Sequence, residues 1–217
     1  MRASSSIAPS NFRAPRALLA KTFTRPRPVA MLTPDTEIYA QGEASGVLYR
    51  IEFGAVKIYR LMADGRRQVI AFHFAGETFG FECGQVRSFF AECIVATGLT
   101  TVDMDDDGRF PADLMELALK EMVRAQEHLL VVGKQSAIEK LSVFLVDLVE
   151  RQGGLDSVDI PMTRTDIGDY LGMTIETVSR SLSRLKSEGI LRLRSNRSIE
   201  ILSPNRLSRL ASKPWIS

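Results

Sequence analysis

Three polar residues in the C-terminal quarter of the chain have the chemistry needed to read the edges of DNA base pairs. Glu176, Ser179 and Arg180 cluster on one side of an α-helix when they are placed at about 100° per residue. An arginine guanidinium can donate two hydrogen bonds to guanine O6 and N7, and a carboxylate can accept one from cytosine N4. A serine hydroxyl can reach a neighbouring base. The spacing therefore predicts a helix face that contacts bases in the major groove.

The same face could instead be an ordinary solvated surface. Its remaining members, Ser183 and Ser187, are small, whereas a solvated helix more often carries several lysine and glutamate residues. Small side chains would let the helix backbone lie deep in the groove. The composition of the face therefore favours DNA contact.

The residues around this face predict the two helices of a helix-turn-helix. Thr163 and Asp166 have the spacing of a capping box that starts a first helix, and Gly172 ends that helix. Within it, Gly168 stands where another helix must approach closely. Thr174 caps the second helix, which carries the polar face. The opposite side of the second helix is apolar and can anchor it to a domain core: Val178, Leu182 and Leu185.

Two alternating segments after Gly189 predict the β-hairpin wing of a winged helix. They comprise residues 190–193 and 198–202, on either side of Ser195-Asn196-Arg197. Several polar or basic residues surround the motif and are candidates for contacting DNA phosphates: Arg164, Thr165, Thr174, Arg184, Lys186 and Arg197. Each one alone would be an ordinary surface residue, and only their position around the motif favours phosphate contact.

Charge is distributed unevenly along the chain, although the net charge is only +2. Residues 1–30 carry six basic residues and no acid, residues 31–161 carry 12 basic and 21 acidic residues, and residues 162–217 carry ten basic and five acidic residues. A basic end on an acidic body indicates that one part of the protein meets a polyanion. Taken alone, a solvated basic face would explain the pattern equally well.

Residues 29–110 predict an antiparallel β-roll that acts as a sensor-like domain. Short apolar runs such as residues 47–51 and 55–59 recur between glycines, and Asp64-Gly65 lies between two such runs, which is a strong hairpin signal. Residues 1–28 are rich in arginine, serine, alanine and proline and predict a disordered basic arm. An acid-free, arginine-rich start is also found in organellar transit peptides, which remains an alternative.

Residues 111–135 change to a helical period and predict a dimerisation helix. Its apolar residues alternate spacings of three and four: Met115, Ala118, Met122, Ala125, Leu129 and Val132. This seam favours contact with the same helix of a second chain, although a helix packed on its own β-roll could also show it. Residues 136–217 then hold a further helix and the winged helix-turn-helix, so the fold class is α+β.

Other kinds of site have little support in the sequence. Cys83 and Cys93 form no CxxC pair, so they are either candidate redox residues or two small, semi-buried side chains. His73 or His128 could ligate haem, but a structural histidine is the simpler interpretation. No nucleophile–base pair, phosphate loop or metal triad indicates an enzyme. No apolar run approaches the roughly 20 residues that span a membrane, and we expect a cytoplasmic protein without cofactor or metal.

Nearly the whole chain from about residue 30 resembles the CRP/FNR superfamily of bacterial transcription regulators. The order of β-roll, long dimer helix and winged helix matches, and residues 175–180, Ile-Glu-Thr-Val-Ser-Arg, are similar to a recognition helix of the FNR type. Residues 37–42, 53–60 and 76–82 resemble the FixK subgroup. The resemblance implies a homodimeric activator of low-oxygen respiration or nitrogen-fixation genes that binds a TTGAT-N4-ATCAA-like palindrome and contacts RNA polymerase.

The resemblance is incomplete at two effector sites. The FNR type holds an iron–sulfur cluster on four cysteines, mostly near its N-terminus, whereas residues 1–82 here contain no cysteine. Arg87-Ser88 resembles the phosphate-binding pair of the CRP nucleotide pocket. However, Phe81 replaces the ribose-binding glutamate, with Glu82 one place along, and Ala125-Gln126 replaces the polar pair that touches adenine. We therefore expect DNA binding without a small effector, with control by a cyclic nucleotide or another ligand as the alternative.

Overall fold

A computed structural model of the protein describes residues 28–102, 112–134, 136–153, 157–195 and 197–212. Residues 1–27 of the predicted arm, the predicted helix start at Pro111 and Asn196 in the predicted wing lie outside these ranges. In chain order, the described residues form a β-roll, two long helices and a C-terminal unit of helices and short strands. This order confirms the predicted α+β class.

The β-roll consists of short strands in two antiparallel sheets. The strands are β1 (Ala30–Leu32), β2 (Glu37–Tyr39), β3 (Leu48–Phe53), β4 (Ala55–Leu61), β5 (Arg67–Phe74), β6 (Thr78–Phe79), β7 (Phe90–Cys93) and β8 (Thr97–Val102). One sheet has the order β1-β8-β3-β6 and the other the order β2-β7-β4-β5. The hairpin predicted at Asp64-Gly65 is confirmed, because it joins the paired strands β4 and β5.

Apolar side chains from both sheets fill the interior of the roll. Ile51 and Leu99 come from one sheet and Val56 and Ala91 from the other, and each is at most 3% exposed. Alternate residues of a strand point to opposite faces, so each sheet supplies one inward row to this core. The roll is therefore a firm body against which helices can pack.

Two long helices follow, α1 (Ala112–Val132) and α2 (Ala137–Arg151). One side of α1 packs on its own chain, since Leu114 lies in a cluster with Leu48 and Val102. The other side exposes large apolar residues: Met115, Leu119, Met122, Val123, Leu129 and Leu130. Within the predicted seam, Met115, Met122, Ala125 and Leu129 are exposed, and Ala118 and Val132 are half-buried. None of the described helices is long and apolar enough to cross a membrane.

The C-terminal unit is a winged helix-turn-helix. It contains β9 (Ser157–Asp159), α3 (Arg164–Leu171), α4 (Ile175–Ser187), β10 (Leu191–Ser195), β11 (Ser198–Ile201) and α5 (Pro204–Ala211). The predicted wing is confirmed as the antiparallel pair β10 and β11. Strand β9, which extends the sheet beside β11, and helix α5 were not predicted from the sequence.

Local hydrogen bonds explain where α3 and α4 begin and end. Thr163 and Asp166 form the predicted capping box, and Gly172 ends α3 with a left-handed φ of 64°. Thr174 accepts a hydrogen bond from the Thr177 amide and so caps α4. The expectation for Gly168 needs a correction: a Cβ there would lie 2.6 Å from the Met173 carbonyl oxygen, so the close neighbour is the turn and not another helix.

Candidate DNA-binding interface

Helix α4 has a buried face and an exposed face, as its sequence predicts. The buried face consists of apolar core residues: Val178, Leu182 and Leu185. On the opposite side, Glu176, Arg180, Ser183 and Ser187 are exposed and Ser179 is half-buried. We call these five residues the recognition face. Because small side chains separate its charged members, the backbone of α4 can approach a groove closely.

Glu176 is held in its carboxylate form. Its own amide at the start of α4, the Thr174 hydroxyl and the nearby charge of Arg180 lower the pKa of Glu176. The positive end of the helix dipole favours the same charge state. A carboxylate only accepts hydrogen bonds, so its partner on a base edge must be a donor such as cytosine N4.

Arg180 is exposed beside Glu176. Within the described residues, its guanidinium takes part in no hydrogen bond or salt bridge, and Glu176 is the charged group that it influences. All of its N–H donors are therefore available to a ligand. This is the state needed for two hydrogen bonds to guanine O6 and N7.

Arg164 links the first helix to the recognition face. Its Nη1 donates to Ser179 Oγ over 3.2 Å. A guanidinium cannot accept a hydrogen bond, so the Ser179 oxygen accepts here and its own O–H is left to donate elsewhere. Ser179 can thus present a donor to a base acceptor. Arg164, predicted only as a phosphate contact, also orients a member of the recognition face.

The other candidates for phosphate contact all lie on the surface: Thr165, Thr174, Arg184, Lys186 and Arg197. Some also have local roles, since Thr174 caps α4 and Arg184 Nε donates to Glu188 Oε1 over 2.8 Å. At about 100° per residue, Arg184 and Lys186 fall on opposite flanks of the recognition face. Their surface positions are compatible with contact to the DNA backbone, which remains a prediction.

Two further basic residues of the wing were not singled out from the sequence. Arg192 and Arg194 are exposed on β10 and lie 3.3 and 2.8 Å from the Glu200 carboxylate on β11. A glutamate opposite two arginines orders their side chains across the hairpin. The alternating arginines in residues 191–195 could have indicated this pairing.

The second candidate ligand site is the part of the roll that resembles a nucleotide pocket. Arg87 is only 2% exposed. Its Nη1 donates to the Gly80 carbonyl over 2.7 Å, its Nη2 donates to the Val47 carbonyl over 2.6 Å, and its guanidinium carbon lies 4.1 Å from the centre of the Tyr39 ring. The positive group that would meet a cyclic phosphate is therefore already used to hold the roll together.

Ser88, the second residue of that pair, is also occupied. Its amide and hydroxyl donate to the two carboxylate oxygens of Glu82, each over 2.9 Å. Glu82 is the residue that stands one place after the position of the ribose-binding glutamate. Ser88 and Glu82, two residues that could contact a nucleotide here, are therefore already hydrogen-bonded to each other.

A cavity of about 440 Å³ lies between the roll and α1. Both arginines that line it are paired with glutamates: Arg124 Nη1 lies 2.6 Å from Glu121 Oε1, and Arg151 Nη2 lies 2.6 Å from Glu77 Oε2. Burial alone would raise the pKa of Glu77, but its contacts with His73 and Arg151 outweigh burial and lower it to about 2. A phosphate entering this cavity would have to displace these glutamates from the arginines.

The cysteines and histidines give little support to redox or haem chemistry. Cys83 is exposed and Cys93 is buried, and burial raises the pKa of the Cys93 thiol, which disfavours the reactive thiolate. His73 and His128 both stack on aromatic rings inside the protein. The described residues contain no group of three or more side chains that could hold a metal ion.

Sequence reasoning missed the charged residues that connect the roll to the helix-turn-helix. Lys57 and Arg67 of the roll form salt bridges with Asp166 on α3, and Arg67 also pairs with Asp169. Lys57 offered one signal, because it stands within an apolar strand and is only 5% exposed. Its acidic partner on α3, Asp166, lies 109 positions further along the chain, so spacing alone could not identify the pair.

Comparisons with known proteins agree with this architecture. Residues 30–106 match the cyclic nucleotide-binding domain family, and residues 139–210 match the Crp-like helix-turn-helix domain family. The nitrogen fixation regulation protein FixK of Rhizobium meliloti (strain 1021) is 50% identical over 187 residues, covering 86% of this chain and 89% of that protein. The fumarate and nitrate reduction regulatory protein of Vibrio cholerae is 34% identical over 188 residues, covering 81% and 75%.

A solved structure shows the same arrangement. FixK2 from Bradyrhizobium japonicum superposes with a TM-score of 0.79 at 34% identity, covering 89% of this chain and 100% of that one. A β-roll followed by a Crp-like helix-turn-helix with an open recognition face defines a DNA-binding transcription regulator. The chain belongs to the CRP/FNR family. Within that family it groups with the FixK-type regulators.

Proposed function

We propose that the protein is a homodimeric activator of genes for low-oxygen respiration or nitrogen fixation that binds a TTGAT-N4-ATCAA-like palindrome. The observation that carries the proposal is the recognition face, in which Glu176 and Arg180 are exposed and Ser179 has a free donor. Similarity to a FixK nitrogen fixation regulator and to a fumarate and nitrate reduction regulator supports the class of target genes. Its place of action would be the cytoplasm, with RNA polymerase as a further partner.

The exposed side of α1 supports the homodimer. Six large apolar residues on one helix face form a surface that a single chain leaves open to water. The same face of a second copy would cover it, and a two-fold axis along α1 would present two recognition faces to a palindrome, about 34 Å or one DNA turn apart.

Fluorescence anisotropy at fixed salt tests the DNA site. The protein is titrated into a labelled TTGAT-N4-ATCAA duplex and into a scrambled duplex, with and without cAMP. We expect a preference of roughly a thousandfold or more for the palindrome, unchanged by cAMP because Arg87 and Ser88 already have internal partners. Equal affinity for both duplexes would contradict the assigned face, and a preference that required cAMP would support the ligand-controlled alternative.

Light scattering after size exclusion tests the dimer. Leu129→Glu places a charge on the exposed apolar side of α1, where Leu129 is 72% exposed. We expect the wild type to elute as a dimer and this variant as a monomer with weakened binding to the palindrome. Leu202→Glu, at another exposed leucine away from α1, is the control and should remain dimeric.

A further inference from the structure

Charged side chains join the β-roll to the first helix of the helix-turn-helix. We call this group the interdomain clasp: Lys57, Arg67 and Glu92 from the roll, and Asp166 and Asp169 from α3. Arg67 lies at its centre. Its Nη2 is 2.7 Å from Asp166 Oδ1 and 2.8 Å from Asp169 Oδ2, and its Nε is 2.9 Å from that same Asp169 oxygen.

The clasp is largely shielded from water. The side chains of Lys57 and Asp166 are 6% and 3% exposed, and those of Arg67 and Asp169 are 26% and 25% exposed. Lys57 Nζ also lies 2.7 Å from Glu92 Oε1 and 3.4 Å from Asp166 Oδ1. Buried ion pairs often add little net stability, but they demand a defined geometry because an unpaired buried charge is unfavourable. The clasp is therefore better suited to orienting two domains than to stabilising them.

Asp166 connects the clasp to the start of α3. Its carboxylate closes the capping box with Thr163. Burial alone would raise the pKa of Asp166, but the Thr163 hydroxyl and the charges of Lys57 and Arg67 outweigh burial and lower it. Asp166 is thus charged at neutral pH. The same carboxylate caps the first turn of α3 and forms salt bridges with Lys57 and Arg67 of the roll.

The turn between α3 and α4 is compact, so the placement of α3 also determines the placement of the recognition face on α4. Gly168 lies against the Met173 carbonyl, and the Met173 amide donates to the Gly168 carbonyl over 2.9 Å. Arg164 at the start of α3 also donates to Ser179 on α4. These contacts tie the two helices to each other, so the residues that hold α3 in place also hold α4 in place.

We propose that Lys57 and Arg67 are positioning residues for DNA reading, which act through Asp166 and Asp169 to set where α4 stands relative to the β-roll and α1. The proposal rests on the proposed function, in which two α4 helices of a homodimer meet one palindrome. The separation of these helices must match the separation of the half-sites, about 34 Å for one DNA turn. A clasp in each protomer thus makes the protein prefer one spacer length.

Anisotropy titrations of the full chain on three duplexes test this assignment. The duplexes carry the same two half-sites with the four-base-pair spacer, or with a spacer shorter or longer by one base pair. We expect the wild type to favour the central spacer by about tenfold or more, the size of a typical single mismatch. Arg67→Gln should narrow this preference to about threefold or less, while its preference for the correct half-site over a scrambled one stays unchanged.

The neighbouring arginine provides a matched control. Arg66 is on the same hairpin, its side chain is 82% exposed, and its salt bridge is with Asp64 in the hairpin itself. Arg66→Gln makes the same change in charge and should keep the wild-type spacer profile.

Arg67→Gln is expected to fold, because Tyr170 still docks α3. The Tyr170 ring stacks on His128 with centroids 3.9 Å apart and lies 5.1 Å from the Phe72 ring. If Arg67→Gln nevertheless fails to fold, Asp169→Asn, which changes the partly exposed partner of Arg67 on α3, replaces it on the same three duplexes, with the same expected narrowing. A spacer profile like that of Arg66→Gln, or an equal loss of affinity on all three duplexes, would overturn the proposal.

The outcomes separate this proposal from the proposed function. A wild type that selects the half-site sequence but binds all spacers equally keeps the function and overturns the positioning role. A wild type that does not distinguish the palindrome from scrambled DNA overturns the function. In that case, hydrogen exchange of the free protein tests whether the clasp positions α3. The amides of α3 should exchange about tenfold faster in Arg67→Gln than in Arg66→Gln, and equal exchange would overturn the positioning role.

Discussion

The recognition helix and the β-roll each carry an arginine in a motif that resembles an anion-binding site, but the two arginines have opposite surroundings. Arg180 on α4 is exposed beside Glu176. Arg87 in the roll is 2% exposed, donates to the Gly80 and Val47 carbonyls and stacks on Tyr39. The donors of Arg180 are open to a ligand, whereas Arg87 is buried and two of its donors are bound to backbone carbonyls of the roll.

This difference shows why a motif is weaker evidence than the hydrogen-bond partners of its residues. The cyclic nucleotide-binding family matches residues 30–106, and Arg87-Ser88 has the residue types of a phosphate-binding pair. Arg87 already holds two backbone carbonyls, and a phosphate would have to reach it inside the roll, where the residue is only 2% exposed. An arginine can stabilise the fold or bind a ligand. Replacing Arg87 and Arg180 in turn tests which of these two roles each residue has.

The largest effect is expected for Arg87→Met, which keeps the bulk of the side chain and removes the guanidinium. It leaves the Gly80 and Val47 carbonyls without their donors and removes the contact with Tyr39. We expect the free energy of unfolding to fall by about 3 kcal/mol or more, in the range found when one partner of a buried polar network is removed. Urea unfolding followed by circular dichroism measures it.

Arg60→Met is the control for this prediction. Arg60 lies on β4, is exposed, and should tolerate the change within about 0.5 kcal/mol. If Arg87→Met and Arg60→Met unfold at the same urea concentration, Arg87 is not part of the architecture of the roll, and its donors would again be open to assignment to a ligand.

Arg180→Ala should have the opposite profile: normal stability and impaired DNA reading. The loss of two hydrogen bonds to a guanine corresponds to about 1–3 kcal/mol on the palindrome, with a much smaller loss on scrambled DNA. Anisotropy on both duplexes at one salt concentration measures the ratio. Arg209→Ala, an exposed arginine on α5, removes the same charge from the same domain and should leave the ratio unchanged. A ratio equally unaffected in Arg180→Ala would show that this residue does not read a base.

Arg164 stands between these two extremes, because one of its donors is used by Ser179 and the others face solvent. If the Ser179 hydroxyl donates to a base only when Arg164 orients it, the two residues are coupled. A double-mutant cycle with Arg164→Ala and Ser179→Ala on the palindrome should give a coupling energy of about 1 kcal/mol. Strictly additive losses would mean that Arg164 contacts phosphate independently of Ser179.

The features that could be predicted from the sequence are those determined within a few residues. The Asp64-Gly65 hairpin depends on a turn dipeptide, and the start and end of α3 depend on the capping pair Thr163 and Asp166 and on Gly172. The two faces of α4 follow from helical spacing alone. Each of these signals is local, so folding of the rest of the chain does not change its meaning.

The predicted seam of α1 shows the limit of such reasoning. Spacings of three and four can be counted along several neighbouring rows of one helix. Met115, Met122 and Leu129 belong to the exposed side, but Leu119, Val123 and Leu130 are exposed there too, whereas Ala118 is half-buried. Which row faces the roll depends on Leu114 meeting Leu48 and Val102, a contact between distant parts of the chain.

The partners of Arg87 and Asp166 could not be predicted for the same reason. Arg87 meets the Val47 carbonyl 40 positions away, and Arg67 meets Asp166 across 99 positions. Whether a charged residue is available to a ligand is decided by such contacts. Sequence reasoning therefore identified the candidate residues of both sites, but only the folded arrangement distinguishes the open site from the occupied one.

The smallest expected effect is a change in the pH dependence of stability at His128, a titratable side chain that makes an internal contact, as Arg87 does. Burial lowers the pKa of His128, although the Tyr170 carbonyl, 2.7 Å from Nε2, and Asp147 oppose the shift. Below the ordinary pKa of histidine, about 6.5, the unfolded chain therefore binds more protons at this site than the folded protein. By linkage, the difference in proton binding at His128 lowers the free energy of unfolding as the pH falls below about 6.5. Above that pH, His128 makes no pH-dependent contribution to the free energy of unfolding.

Urea unfolding at pH 7.5 and pH 5.5 measures this contribution. His128→Phe keeps an aromatic ring against Tyr170 and cannot take up a proton, so its loss of stability between the two pH values should be smaller than that of the wild type. The other titrating groups are unchanged, and the difference between the two losses belongs to His128. An equal loss in both proteins would mean that the histidine is protonated as readily in the folded state as in the unfolded chain. The contact between His128 and Tyr170 would then not hinder protonation of the histidine, whereas the internal contacts of Arg87 occupy donors that remain open in Arg180.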